Sequence, residues 1–161
     1  MKITAPLSSV EEIEPLAVAG ADEFYCSVIP DDWRQRFGSS AVSRRLFGSL
    51  AKDRDLEAAI SRAHALGKRL SLVMNAQHYT SEQLDSLLRL ADRFARNGGD
   101  AVIIGDPALL ALVADQHFGV AIHLSSIAAC RNRQSAAFYR QLGATRIIFP
   151  RDMTLKEMAR L

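Results

Sequence analysis

Apolar residues in this chain recur in five short runs that share one grammar: a helix-like stretch, a glycine, a short turn, then a strand-forming run. They follow Gly20 (ADEFYC), Gly67 (KRLSLVMN), Gly99 (DAVIIGD), Gly119 (VAIHLSS) and Gly143 (ATRIIFPRD). Glycine at that place fits the left-handed C-cap of a helix. The continuous apolar run after it fits a strand buried on both faces of a parallel sheet. With Ile3-Thr4-Ala5 in front, stopped by Pro6, the chain reads as six βα units.

Between the strands the periodicity changes to that of helices. Leu56, Ala59, Ile60 and Ala63 share one face of a helix over 56–66, with Asp55 as its cap. Leu84, Leu87, Leu88, Ala91 and Phe94 do so over 82–96. Thr80 with Gln83 and Thr154 with Glu157 have capping-box spacing. Asp106-Pro107 opens another helix, with proline where its missing N–H costs nothing. Ser8 or Ser9 is expected to cap the first helix, and Pro15 predicts a kink or a late start. A helix over 134–142 precedes the sixth strand.

Alternating β and α elements with short connections mean a parallel sheet with right-handed crossovers. No glycine-rich nucleotide fingerprint follows any strand, which counts against an open dinucleotide-binding sheet. The expected fold is a TIM-barrel-like (β/α) repeat, residues 1–161 forming one domain of about six units of an incomplete (β/α)8 barrel. Two strand positions would then be empty, leaving unpaired edges that soluble proteins avoid. The expectation is a longer native chain that completes the barrel, a homo-oligomer, or a second subunit that does so.

Polar groups gather just after the strands, where parallel α/β folds bind ligands. His123 and Ser125 lie two residues apart on one strand and so point to one face. A neutral histidine there can shuttle protons, or be a core histidine held by a hydrogen bond. No G-x-S-x-G elbow supports a hydrolase triad. Asn75 and Gln77 follow the third strand with amides that suit a polar substrate. His78 stands beside them without a partner at zinc-type spacing, so no metal site is expected. Arg151 with Asp152 reads as an anion anchor or a rim ion pair. Residues 28–54 make an unusually long βα connection holding Trp33, Phe37, Phe47, Arg44 and Arg45. It is either a lid or an excursion packed on the rim. Arg44 and Arg45 suit a carboxylate or phosphate clamp, or a solvated basic turn. Cys26 and Cys130 are both expected on the ligand face, as inert, partly buried thiols.

Composition narrows this only a little. Of 161 residues, 48% are hydrophobic and 24% charged, those of an ordinary globular protein. The net charge of +2 is too small to argue for a nucleic acid or an anionic membrane. Two cysteines do not make a disulfide framework. Reduced thiols, no membrane-length apolar run and no signal-peptide pattern place the expectation in the cytoplasm, away from membranes.

The segments Ala5-Pro6, Gly20-Ala21-Asp22-Glu23-Phe24-Tyr25, Asn75, Ile122-His123-Leu124-Ser125-Ser126 and Pro150-Arg151-Asp152-Met153-Thr154-Leu155-Lys156-Glu157, in that order, resemble peptidase family U32, the collagenase-like proteases. The resemblance spans essentially the whole chain. It implies the N-terminal part of a TIM-barrel-like domain acting at the strand C-terminal ends. Some members are described as peptidases. Others support oxygen-independent hydroxylation of a quinone precursor or of RNA bases and carry an iron–sulfur cluster. The sequence departs from the family at Asp152, where glutamate is common, and at Leu7-Ser8, where glycine is common. On this reading His123, Ser125 and Asn75 are the catalytic candidates. Tyr25, Arg44, Arg45, His78 and Arg151 are the substrate-binding candidates, for a peptide, an RNA or a small molecule. No cofactor is expected within the chain itself. Two cysteines without a C-x-x-C cannot supply four thiolates, so a cluster would need cysteines from a longer chain or a partner. The alternative is a non-catalytic domain presenting the same face to a peptide, RNA or second subunit.

Overall fold

The computed structural model describes residues 1–44 and 49–161. Six strands, β1 (Thr4–Pro6), β2 (Glu23–Cys26), β3 (Arg69–Met74), β4 (Ala101–Ile104), β5 (Ala121–Leu124) and β6 (Arg146–Ile147), form one sheet in chain order. Every pairing is parallel. Between them lie α1 (Ile13–Val18), α2 (Trp33–Phe37), α3 (Asp55–Ala65), α4 (Ser81–Arg96), α5 (Pro107–Gln116) and α6 (Arg133–Gln141), with α7 (Leu155–Met158) after β6. The sheet curves into a half-barrel. No helix among the described residues is long and apolar enough to cross a membrane.

Alternation along the strands separates the two faces of the sheet. Phe24, Cys26, Leu70, Leu72, Met74, Val102, Ile104 and Leu124 join the main core cluster with the apolar faces of the helices. The intervening positions Glu23, Tyr25, Ser71, Val73, Ile103 and His123 line the concave face.

Both capping boxes form as the sequence predicts. Asp106 accepts the Leu109 N–H at 2.9 Å, with Pro107 first in the helix. Other expectations are corrected. Pro6 belongs to β1 rather than stopping it, which an outer strand allows because the proline has no ladder N–H to lose. Ser9 makes no side-chain cap. A 3-10 turn over Val10–Glu12 comes first, so Pro15 falls in the first turn of α1, where its ring is tolerated. The position before α3 is Arg54, and Asp55 is the first helical residue. After α4 the left-handed residue is Gly98. Gly99 instead has the Phe94 ring where a Cβ would stand.

The long connection after β2 is packed down. Trp33 is fully buried, and its indole N–H donates to the Ser40 carbonyl at 2.7 Å. Arg93 of α4 grips Asp53 with two hydrogen bonds. The described part of the connection is therefore packed on the rim at Trp33 and Asp53. The expected roles of Arg45 and Phe47 lie outside the described residues.

Candidate functional site

The concave face encloses a cavity of about 470 Å³ that runs from the first residues of β1, β2 and β6 to the loops after the strand C-terminal ends. Register sets its floor: His123 of β5 stands beside Ile103 of β4 and Arg146 of β6. Tyr25 and Ser27 come from β2 and its end, Asn75 from the residue after β3, and Ser126 from beyond β5. Arg44 closes one side and Arg151 the other.

Two polar links fix this arrangement. The Arg146 guanidinium crosses the concave face from β6 to β2 and holds the Glu23 carboxylate at 2.6 and 3.2 Å. Lys2 adds a looser contact at 3.7 Å. Glu23 is only 4% exposed. Its hydrogen bond with Arg146 outweighs the burial penalty and holds its carboxyl below the usual range. The Asn75 amide forms the second link, accepting the Arg44 backbone N–H at 2.9 Å and donating to the Ser125 hydroxyl at 3.0 Å. It joins the long connection to the end of β5.

His123 is 7% exposed. Burial, and then the neighbouring Arg146 charge, push its imidazole down to about 4, against an opposing pull from Glu23. At neutral pH the ring is uncharged, with one nitrogen donating and one accepting. It has no hydrogen-bond partner among the described residues. Ser125 follows the last residue of β5, is 2% exposed and does not line the cavity with His123, and its Oγ is engaged by Asn75. No serine–histidine pair forms.

Of the other candidates, Tyr25, Asn75, Arg44 and Arg151 meet around one cavity. His78 does not join them. It is exposed and lines a second trough outside the barrel mouth. The expected pairing of Arg151 with Asp152 is corrected: Asp152 takes both oxygens to Arg131, at 2.8 and 2.7 Å. Arg131 follows the 3-10 turn after β5 and reaches the β6 rim, while Arg151 faces the cavity. The cysteines are corrected too. Cys26 points into the core behind the sheet, and burial pushes its thiol up to about 12. Cys130 is buried and its thiol is also raised. No group of three or more histidine, cysteine or acidic side chains among the described residues is placed to hold a metal.

The residues missed in the sequence are Glu23, Arg146, Arg131 and Gly105. The first two signal only through strand parity, since each occupies an inward position. At Gly105 an added Cβ would come within 2.7 Å of the end of the Ile127 side chain, which would have to shift to admit it.

Sequential parallel strands, helices behind them and a polar concave face that opens into a cavity define a half-barrel of the TIM type. The family model of peptidase family U32 matches residues 8–161, and the chain belongs to that family. It is 28% identical over 157 residues to tRNA hydroxylation protein P of Escherichia coli, covering 98% of this chain and 32% of that protein. It is 27% identical over 160 residues to tRNA hydroxylation protein P of Haemophilus influenzae, covering 99% of this chain and 32% of the relative. The chain thus spans about a third of the length of these relatives. The solved structure of the U32 peptidase Mk0906 superposes with a TM-score of 0.71 at 18% identity, over 92% of this chain and 58% of that one. That likeness concerns the fold.

Proposed function

We propose that this chain is the N-terminal part of the barrel of a protein acting in tRNA hydroxylation, and that its concave face holds the nucleoside to be modified. The observation that carries this is the similarity to tRNA hydroxylation proteins along 98% of the chain. The cavity supports it, with amide, phenol, imidazole and guanidinium groups facing inward. Neutral His123 offers a donor and an acceptor to a base edge. Tyr25 offers a ring for stacking. Arg44 and Arg151 make no ion pair among the described residues and suit flanking phosphates.

The same geometry speaks against a serine peptidase at this position. A nucleophile needs a base in hydrogen-bond reach. The Oγ of Ser125 instead accepts from an amide. An iron–sulfur cluster does not fit the residues present either. Both thiols are buried and raised, and one sits behind the sheet. The part of this chain is to bind and orient substrate.

The test is complementation. The complete gene product is expressed in Escherichia coli lacking its own tRNA hydroxylation protein P, and digested tRNA is examined by mass spectrometry for nucleosides carrying one extra oxygen. Restoration is expected, with a loss of tenfold or more for His123→Ala. Absence of restoration, together with gelatin or peptide cleavage abolished by the same substitution, would overturn the reading in favour of a peptidase.

A further inference from the structure

Beside the concave cavity lies a second, larger trough of about 750 Å³, between the connection after β2 and the loop joining β3 to α4. The two spaces share a wall: Ser43 and Arg44 line both. Asn75 and Ser126 face the cavity, while their chain neighbours Ala76 and Ile127 face the trough. The two spaces therefore adjoin at Arg44. The far side carries Gln77 and His78, both exposed.

The charge of this path is one-sided. No aspartate or glutamate among the described residues lines the trough. Glu23 is the one carboxylate lining the cavity among the described residues, and Arg146 neutralises it. The Arg44 guanidinium makes no hydrogen bond or ion pair among the described residues, although its backbone N–H is fixed by Asn75. The trough is also built rather than loose. The Tyr79 hydroxyl donates to the Val42 carbonyl at 2.6 Å and accepts the Ala76 N–H at 2.9 Å, tying its two walls together. Burial raises the phenol, so this donor keeps its proton at any working pH.

We propose that the trough is a second subsite, which takes the phosphodiester and ribose adjoining the nucleoside in the cavity, with Arg44 at the junction. This rests on the tRNA reading above and names the part of the substrate that the outer face recognises. Arg44 would meet a phosphate oxygen with its planar fork. Gln77 and His78 would supply hydrogen bonds to phosphate or to the 2′-hydroxyl.

The test uses the complete gene product and a fluorescent single-stranded RNA of anticodon-loop length, titrated by anisotropy at several salt concentrations. The double variant Gln77→Ala/His78→Ala is expected to bind about tenfold more weakly. Arg44→Gln is expected to lose about as much and to lower the slope of log affinity against log salt by ~0.7, the value for one phosphate contact on a single strand. Arg89→Gln removes an exposed arginine of α4 outside both spaces and should change affinity less than twofold. The substituted loop side chains are exposed, and an unchanged thermal melt confirms that a loss is local. If the double variant and Arg44→Gln bind like wild type while His123→Ala abolishes hydroxylation, the subsite is overturned and the tRNA reading stands. If wild type neither binds the RNA nor restores hydroxylation, both fall.

Discussion

Arg146 and Glu23 are 123 residues apart in the chain, yet their ion pair spans the concave face, and removing the arginine gives a sharp test. In Arg146→Met the Glu23 carboxylate stays buried, with only Lys2 at 3.7 Å. Breaking a buried pair from one side costs ~3–5 kcal/mol because the surviving charge is stranded. Here the Arg146 side chain is 44% exposed, so water screens part of the loss, and about 2–3 kcal/mol is expected at pH 7. The sign with pH follows from the shifts. In wild type the Glu23 carboxyl is depressed below 4.5, so its contribution is present above that value and is lost as pH falls through the folded pKa. Without Arg146, burial raises the same carboxyl, which takes up a proton on acidification and relieves the stranded charge. The variant also loses the Arg146 charge that helps depress His123, which makes it less sensitive to acid in the same direction. The stability deficit should therefore shrink to under ~1 kcal/mol at pH 4. Urea denaturation of wild type, Arg146→Met, Glu23→Gln and the double variant at both pH values measures it. A coupling energy of about 2 kcal/mol at pH 7 is expected from the cycle. A deficit below about 0.5 kcal/mol at pH 7, or an equal deficit at pH 4, refutes the reasoning.

Two further outcomes can be measured. His123, depressed from 6.5 to about 4, adds stability that is complete above pH 6.5 and is lost as pH falls toward 4. The full shift corresponds to ~3 kcal/mol, reduced to about 2 by water at the open face. His123→Asn should therefore flatten the stability profile between those pH values, and a profile as steep as wild type would remove His123 as its source. The 161-residue chain, with β1 and β6 as open outer strands, should show a mass by light scattering that rises with concentration. A strictly monomeric, cooperatively melting chain would mean that six strands suffice.

Much of the fold was legible because it is written in local signals. The capping boxes at Thr80 and Thr154 and the Asp106 cap depend on neighbours within four residues, and each appears where expected. The site was legible as a location, since the strand ends can be counted. Its internal pairings were not. Asp152 chooses Arg131 over adjacent Arg151 because the loop after β5 meets the β6 rim, a fact of tertiary structure. The Glu23–Arg146 pair crosses four strand positions. Cys26 could have been placed correctly by parity alone: it alternates with Tyr25 and so must face the core. Net charge hid the basic path at the barrel mouth, because a total of +2 does not show that the carboxylates lie elsewhere or are paired.

That last point explains how the two faces of the sheet divide their work. Behind the strands, Phe24, Leu70, Leu72, Met74, Val102, Ile104 and Leu124 are buried against helices, and any change of volume there is felt by the whole core. In front, a complete TIM barrel fills its interior with branched apolar side chains. Here Glu23, Ser71, His123 and Arg146 stand at such inward positions beside Val73 and Ile103. Polar groups at those positions cost stability unless they are paired. Glu23 and Arg146 meet that demand with each other, and Ser125 with Asn75. His123 meets it by staying neutral, which leaves its ring nitrogens available to a ligand. Among the described residues lining the cavity, the His123 imidazole, the Arg44 and Arg151 guanidinium groups and the Tyr25 and Ser71 hydroxyls make no hydrogen bond or ion pair. Unpaired polar groups on an inward face suit a polar ligand that would pair with them.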